Sequence, residues 1–243
     1  MAPLLALENV SKSFGALKVT DNVSFALGEQ EALGILGPNG AGKTTLFNLI
    51  SGDLRPDAGR VWLQGNDISG LPPHRRCRSG IGRSYQIPQP FGGMTVFENV
   101  LVGATFGSGR PERQCHESCF AVLETTGLLS KANRLAGTLT LLERKRLELA
   151  RALSIGPKVL LLDEIAGGLT EGECQALVAT IRAIHQSGVS LIWIEHVVHA
   201  LLAAVSRLVV INFGALLAEG EPQAVMNDPR VQSVYMGIDE DAA

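Results

Sequence analysis

The stretch Gly37-Pro38-Asn39-Gly40-Ala41-Gly42-Lys43-Thr44-Thr45 decides how the rest of the chain is read. Its first eight residues fit the spacing G-x-x-x-x-G-K-[ST]. The glycines allow backbone angles closed to other residues, so successive N–H groups can turn inward and form a nest for an anion. The apolar run Glu31 to Leu36 ahead of the loop reads as a strand, and Lys43 to Ile50 behind it has a helical pattern. A strand, a glycine loop and a helix open a βα unit, and the helix brings the positive end of its dipole to the same point. The expectation is a cradle for the phosphates of a nucleotide. Lys43 would reach the β- and γ-phosphates, and the Thr44 hydroxyl would ligate Mg²⁺.

Toward the N-terminus, Leu4 to Val10 and Val19 to Leu27 read as strands on either side of a turn containing Gly15. From Thr95 the texture becomes helical. Thr95-x-x-Glu98, Thr140-x-x-Glu143 and Thr170-x-x-Glu173 each have the spacing of a capping box. No strand is expected between Thr95 and Leu153. Beyond Pro157, the run Val159 to Leu162 is too short for a helix and is read as a buried parallel strand. Helix Glu171–Gln186, strand Val189–Ile194, helix Val197–Val205 and strand Leu208–Ile211 follow. Alternating strands and helices imply a parallel α/β sheet, with the helical middle as an inserted subdomain.

Asp163 and Glu164 place two carboxylates at the C-terminal end of that buried strand, where open α/β sheets bind their ligands. Asp163 suits a Mg²⁺-holding role. Glu164, pointing to the other side of the pleat, would accept a proton from an attacking water.

Composition narrows the alternatives. With 24 acidic and 21 basic side chains among 243 residues, the formal charge is −3, unlike the strong basic excess of proteins that coat nucleic acid; no nucleic-acid partner is expected. The apolar stretch Val197 to Val205 is interrupted by His199 and falls short of the roughly 20 residues needed to span a bilayer. The N-terminal residues lack a basic region and a cleavage site, and read as a first strand, not a signal peptide. Four cysteines (77, 115, 119 and 174) do not make a disulfide scaffold. Cys115 and Cys119 share a helical face, but no second Cys/His pair follows to complete a zinc site, so free thiols are expected.

With these motifs in hand, the chain resembles the nucleotide-binding subunit of ABC transporters over nearly all its length. The resemblance implies a P-loop NTPase (RecA-like) core with an antiparallel β subdomain and an inserted α-helical subdomain. Its expected division is a core of 1–93 and 154–243 with helices in 94–153. It implies ATP and Mg²⁺ as ligands, with Gly37 to Thr45 around the phosphates and Phe14 stacking on adenine. Gln86, in Arg83-Ser84-Tyr85-Gln86, matches the glutamine that senses Mg²⁺ and the γ-phosphate, so Thr44, Gln86 and Asp163 form the implied Mg²⁺ set. His196 matches the switch histidine, joining Glu164, Gln86 and Lys43 as the implied catalytic group. The family's signature segment falls on Leu139-Thr140-Leu141-Leu142-Glu143. Thr140 keeps a hydroxyl at a helix N-terminus, where the family meets the ATP of the opposite subunit, but leucines stand where the family has two glycines. Thr170 occupies a position that is normally Asp or Asn.

Several stretches are similar to ATPases of branched-chain amino-acid and amide uptake: Gln86 to Phe91, Met94 to Val100, Ile194 to Val197, and the tail Val231 to Gly237. This likeness implies an energy-coupling subunit on the cytoplasmic face of the inner membrane. Its partners would be membrane permease subunits, a second ATPase subunit and, indirectly, an external solute-binding protein. The alternatives are an ATPase of lipopolysaccharide-type export and a soluble ABC ATPase outside transport.

Overall fold

The computed structural model describes residues 2–236; Gly237, the last residue of the tail just quoted, lies outside them. The chain divides into two units, Met1–Pro72 with Ile192–Ala243, and Pro73–Leu191.

The first unit begins with β1 (Leu5–Phe14) and β2 (Leu17–Leu27), an antiparallel hairpin in which Phe14 faces Leu17 across a two-residue turn. Both strands run past their expected ends because pairing continues to the turn. Asn9 and Asn22 adopt left-handed backbone (φ 52 each), near shifts in the strand register, as asparagine tolerates more readily than most residues. After β3 (Ala32–Leu36) and α1 (Lys43–Ser51), β4 (Ala58–Leu63) pairs antiparallel with β1, and the short β5 (Asn66–Asp67) pairs with β4.

The second unit holds α2 (Pro73–Arg78), β6 (Ile81–Arg83), α3 (Val96–Val102), a π-helical turn (Gly103–Gly107), α4 (His116–Thr125), α5 (Leu141–Ser154), β7 (Val159–Asp163) and α6 (Glu171–Gln186). β6 and β7 are parallel, with Ile81 opposite Val159. All five residues of β7 are buried, as a strand covered on both faces requires. Among the described residues no strand lies between Thr95 and Leu153. The helices of that stretch share a core including Val96, Val100, Cys119, Leu123 and Leu147.

All three capping boxes form. The Thr95, Thr140 and Thr170 side chains each accept from the backbone N–H three residues on, and Glu98, Glu143 and Glu173 reach back to the cap residues. Replacing Thr95 with Ala removes one such acceptor and should cost about 1 kcal/mol of stability. An unchanged urea midpoint would contradict that expectation.

The division between the units falls within β8 (Ser190–Ile194). After α7 (Val198–Leu202), β9 (Arg207–Asn212) runs parallel to β3, with Leu36 opposite Val210. β10 (Ala215–Gly220), α8 (Pro222–Met226) and α9 (Pro229–Met236) end the first unit. The expected helix 197–205 is thus shorter than its apolar run. None of β4, β5, β10, α2, α8 or α9 was expected from the sequence.

Candidate nucleotide site

In the first unit, β3 delivers the chain into the glycine loop, and α1 begins at Lys43. The N-cap, Gly42, is left-handed (φ 97), offers no side-chain cap, and the first turn carries no acid. This is the reverse of α3, α5 and α6, whose starts are closed by a threonine and a glutamate. A helix start without a capping side chain leaves backbone N–H groups and a positive dipole end for an outside anion. The residues therefore fit a triphosphate.

Two glycines of the loop are forced by packing. A Cβ on Gly42 would stand 2.3 Å from the Val19 carbonyl oxygen, and one on Gly37 would stand 2.3 Å from that of Ile211. The loop is also tied to the β9–β10 turn, where the Gly214 N–H donates to Ala41 O (3.1 Å) and the Asp21 N–H donates to Gly214 O (2.8 Å). Lys43 is buried, and its Nζ donates to Gly37 O (2.7 Å) and Pro38 O (3.0 Å). The ammonium is thus folded onto the loop that a phosphate would occupy. Thr44 is exposed, and Thr45 is partly buried in the same helical turn.

Phe14 ends β1 with its ring 49% exposed, and Lys12 Nζ lies 5.9 Å from the ring centroid. A half-open aromatic face at a strand end is available for stacking. His196 is exposed just beyond β8, and its N–H donates to Oε1 of Glu195 at 3.0 Å. Glu195, 1% exposed, also accepts from Val197 N–H at 3.4 Å. This buried carboxylate holds the turn that carries His196, a role that sequence reading missed because a lone Glu before a His has no distinguishing pattern.

In the second unit, β7 ends at Asp163, and Glu164 leaves the strand with left-handed backbone (φ 47). Strand alternation therefore does not aim Glu164, which corrects the expectation drawn from the pleat. A hydrogen bond aims it instead: Gln86 Nε2 donates to Glu164 Oε2 at 2.5 Å. The glutamine and the carboxylate of the implied catalytic group are thus brought together across 78 positions of chain. Asp163, 4% exposed, accepts from Arg83 Nη2 at 3.0 Å. Arg83 also lies over the Tyr85 ring, 4.9 Å from its centroid. Arg83 is a further site residue that sequence reading passed over.

Thr140 caps α5, but its surroundings differ from those of α1. Its own N–H donates to Glu143 Oε2 (3.0 Å), its Oγ1 accepts from the Glu143 N–H (3.4 Å), and Glu143 also pairs with Lys131. A carboxylate already stands at this helix start. None of the four cysteines forms a disulfide. Burial, reinforced by the neighbouring Cys115, pushes the Cys119 thiol up to about 11, so it stays protonated at neutral pH. Among the described residues no three His, Cys, Asp or Glu side chains gather as a metal cage, and no helix is long and apolar enough to cross a membrane.

A glycine loop that opens onto an uncapped helix, within an α/β fold carrying an antiparallel hairpin sheet, defines a P-loop nucleotide-binding protein of the ATP-binding cassette class. The ABC transporter family model matches residues 20–167, and a model of the branched-chain amino acid ATP-binding cassette transporter matches 215–241. The chain belongs to the ABC transporter ATP-binding family and is an ATPase of that family. It is similar to the high-affinity branched-chain amino acid transport ATP-binding protein BraF of Pseudomonas aeruginosa, 36% identical over 97% of this chain and 98% of that protein. The lipopolysaccharide export ATP-binding protein LptB of Haemophilus influenzae is 35% identical, over 96% of this chain and 97% of its own. Among solved structures, the ADP conformation of an ATP-binding cassette of an ABC transporter superposes with a TM-score of 0.89 at 33% identity, covering 98% of this chain and all of that one.

Proposed function

We propose that the chain is the ATP-hydrolysing, energy-coupling subunit of an importer for branched-chain or related amino acids. The observation that carries the nucleotide half of this reading is the open, glycine-capped start of α1, with Lys43 poised on the carbonyls of Gly37 and Pro38. The transport half rests on the match of 215–241 to the branched-chain cassette model, together with relatives such as BraF.

In this reading Lys43 exchanges its two carbonyl partners for the β- and γ-phosphate oxygens, while the loop N–H groups from Gly40 to Thr45 bind the same phosphates. Thr44, Gln86 and Asp163 are the residues that would hold Mg²⁺. The ion, when bound, supplies positive charge to the phosphate oxygens as negative charge shifts. Glu164 takes the proton of the attacking water, and Gln86, already bonded to Glu164, keeps that carboxylate aimed. His196 donates to the γ-phosphate, and Phe14 stacks on adenine. Thr140 is assigned to the nucleotide held by a second ATPase subunit. The Glu143 carboxylate at that helix start must turn away before a phosphate can approach, since two anions cannot share one dipole end.

Subunit closure follows the differential affinity of the paired subunits for ATP over ADP. The exposed side chains Tyr85, Ile87 and Phe91, with Gln86 among them, present the surface to a membrane permease on the cytoplasmic face of the inner membrane. The helical segment 94–153 is the subdomain next to them in sequence, and an external solute-binding protein supplies the amino acid. The LptB relative favours a second reading, lipopolysaccharide-type export.

Proteoliposomes containing the permease and both ATPase subunits, with the solute-binding protein added outside, test the two readings together. Uptake of labelled leucine that depends on enclosed MgATP and is lost with Lys43→Ala supports the importer. Movement of lipopolysaccharide without leucine uptake supports the second reading, and leucine uptake indifferent to Lys43→Ala rejects the proposed role of the loop.

A further inference from the structure

Asp163 has a basic partner that the chemistry above leaves unused. The side chains of Arg83 and Asp163 are only 7% and 6% exposed, and Nη2 of Arg83 donates to Oδ2 of Asp163 at 3.0 Å. The sheet sets this pairing. β6 and β7 are parallel, with Arg83 opposite Leu161, and Asp163 lies two positions further along β7, on the same face as Leu161. The N–H of the buried Ser84 donates to the Leu161 carbonyl at 2.9 Å, which fixes the register beside the arginine. The Tyr85 ring lies against the guanidinium, 4.9 Å from centroid to central carbon.

We propose that Arg83 is a positioning residue that serves as the resident counter-cation of Asp163. Its guanidinium holds the carboxylate in place before nucleotide arrives and opposes a divalent ion that arrives alone, so that metal enters together with a triphosphate. This rests on the reading of Asp163 as a Mg²⁺-holding residue of the ATP site, and deepens it by naming what governs entry of the ion. The acid itself fits that reading, since carboxylate oxygen is the ligand chemistry that Mg²⁺ takes.

The physical case has three parts. A buried carboxylate without a counter-charge is strongly unfavourable, so the fold supplies a cation of its own. Arginine suits the task because its guanidinium stays charged and its planar fork matches a carboxylate. A guanidinium within hydrogen-bond reach of Asp163 also stands close to any ion which that carboxylate binds, and like charges repel strongly where water is scarce. The negative charge of a triphosphate offsets this repulsion. An ion pair that only braced β6 against β7 would act in the opposite sense: its loss would loosen Asp163 and weaken metal binding.

The test is electron paramagnetic resonance titration of the full chain with Mn²⁺, which shares the oxygen-ligand chemistry of Mg²⁺, without nucleotide. Arg83→Gln removes the charge but keeps an N–H donor for Asp163, whereas Arg83→Lys keeps the charge. Arg83→Gln should bind Mn²⁺ about 10-fold or more tightly than wild type, as expected when a unit charge beside a divalent ion is removed. Arg83→Lys should stay within about threefold of wild type, because the repulsive charge remains. Adding Asp163→Asn to Arg83→Gln should abolish the gain.

Mn²⁺ affinity of Arg83→Gln equal to or weaker than wild type overturns the proposal, and so does a gain that survives Asp163→Asn. Should Arg83→Gln fail to fold, the native arginine still carries the test. Wild type and Asp163→Asn should then bind Mn²⁺ equally weakly without nucleotide, and a clear advantage for wild type overturns the proposal. The reading of Asp163 as the metal-holding acid fails separately, if wild type and Asp163→Asn bind MnATP alike; the nucleotide-free titrations still report on Arg83 in that case.

Discussion

Glu164→Gln in the assembled transporter should cut ATP turnover by about 10²- to 10⁴-fold, the usual loss when a positioned general base is removed. That corresponds to roughly 3–5 kcal/mol on the barrier. Affinity for MgATP should stay within about twofold, because the change removes a charge and a proton acceptor but little shape. The left-handed backbone at this position (φ 47) is no harder for Gln than for Glu. The 2.5 Å contact from Gln86 to Oε2 can persist to the amide oxygen of the variant. Phosphate release measured at saturating MgATP decides the matter. Turnover within about threefold of wild type would remove Glu164 from the proposed chemistry, and Gln86 would lose its positioning role with it.

The second large effect belongs to Gly42. Alanine there must adopt φ near +97 and place its Cβ 2.3 Å from the Val19 carbonyl oxygen. The left-handed conformation alone costs about 1–2 kcal/mol. Forcing β2 and the loop apart adds roughly 1–3 kcal/mol. We expect Gly42→Ala to lose about 2–5 kcal/mol of stability and nearly all nucleotide binding, because the displaced backbone is the helix start itself.

Gly40→Ala provides the comparison. Gly40 is also left-handed (φ 79), but nothing lies within 4 Å of a Cβ built there. It should lose only the conformational part, about 1–2 kcal/mol, and retain measurable binding. Denaturation midpoints and nucleotide titrations of the two variants separate strain from collision. Equal losses at the two positions would contradict this account of Gly42.

The gap between Gly40 and Gly42 shows what a motif can and cannot say. G-x-x-x-x-G-K-[ST] identifies a loop but not which of its glycines the neighbouring strands demand. The same division runs through the rest of the chain. Helix Glu171–Gln186 and the three capping boxes are legible because their signals are local, a threonine and a glutamate three residues apart ahead of an amphipathic run. β10 is not legible: Ala215-Leu216-Leu217-Ala218-Glu219-Gly220 has helix-favouring composition, yet it pairs antiparallel with β9 from Ala215 opposite Asn212. Tertiary pairing overrides propensity there. β4 is hidden for a similar reason, since Ala58-Gly59-Arg60 shows no β-branched pattern and becomes strand by pairing with β1.

The site divides in the same manner. The phosphate loop and the acidic strand end could be located from motif and order, and Gln86 and His196 from the family resemblance. Their partners could not: Arg83 with Asp163 and Gln86 with Glu164 join residues far apart in the chain. Nor could the aim of Glu164, which departs from strand alternation because its backbone turns left-handed after β7.

By itself the sequence determined the class of the protein, the place of its phosphate loop and the starts of the three helices with capping boxes, because each depends on side chains within a few residues of one another. Only the tertiary structure decided which carboxylate is aimed by which neighbour and which glycine cannot be replaced. Those depend on distances through space between segments that the order of residues does not encode locally.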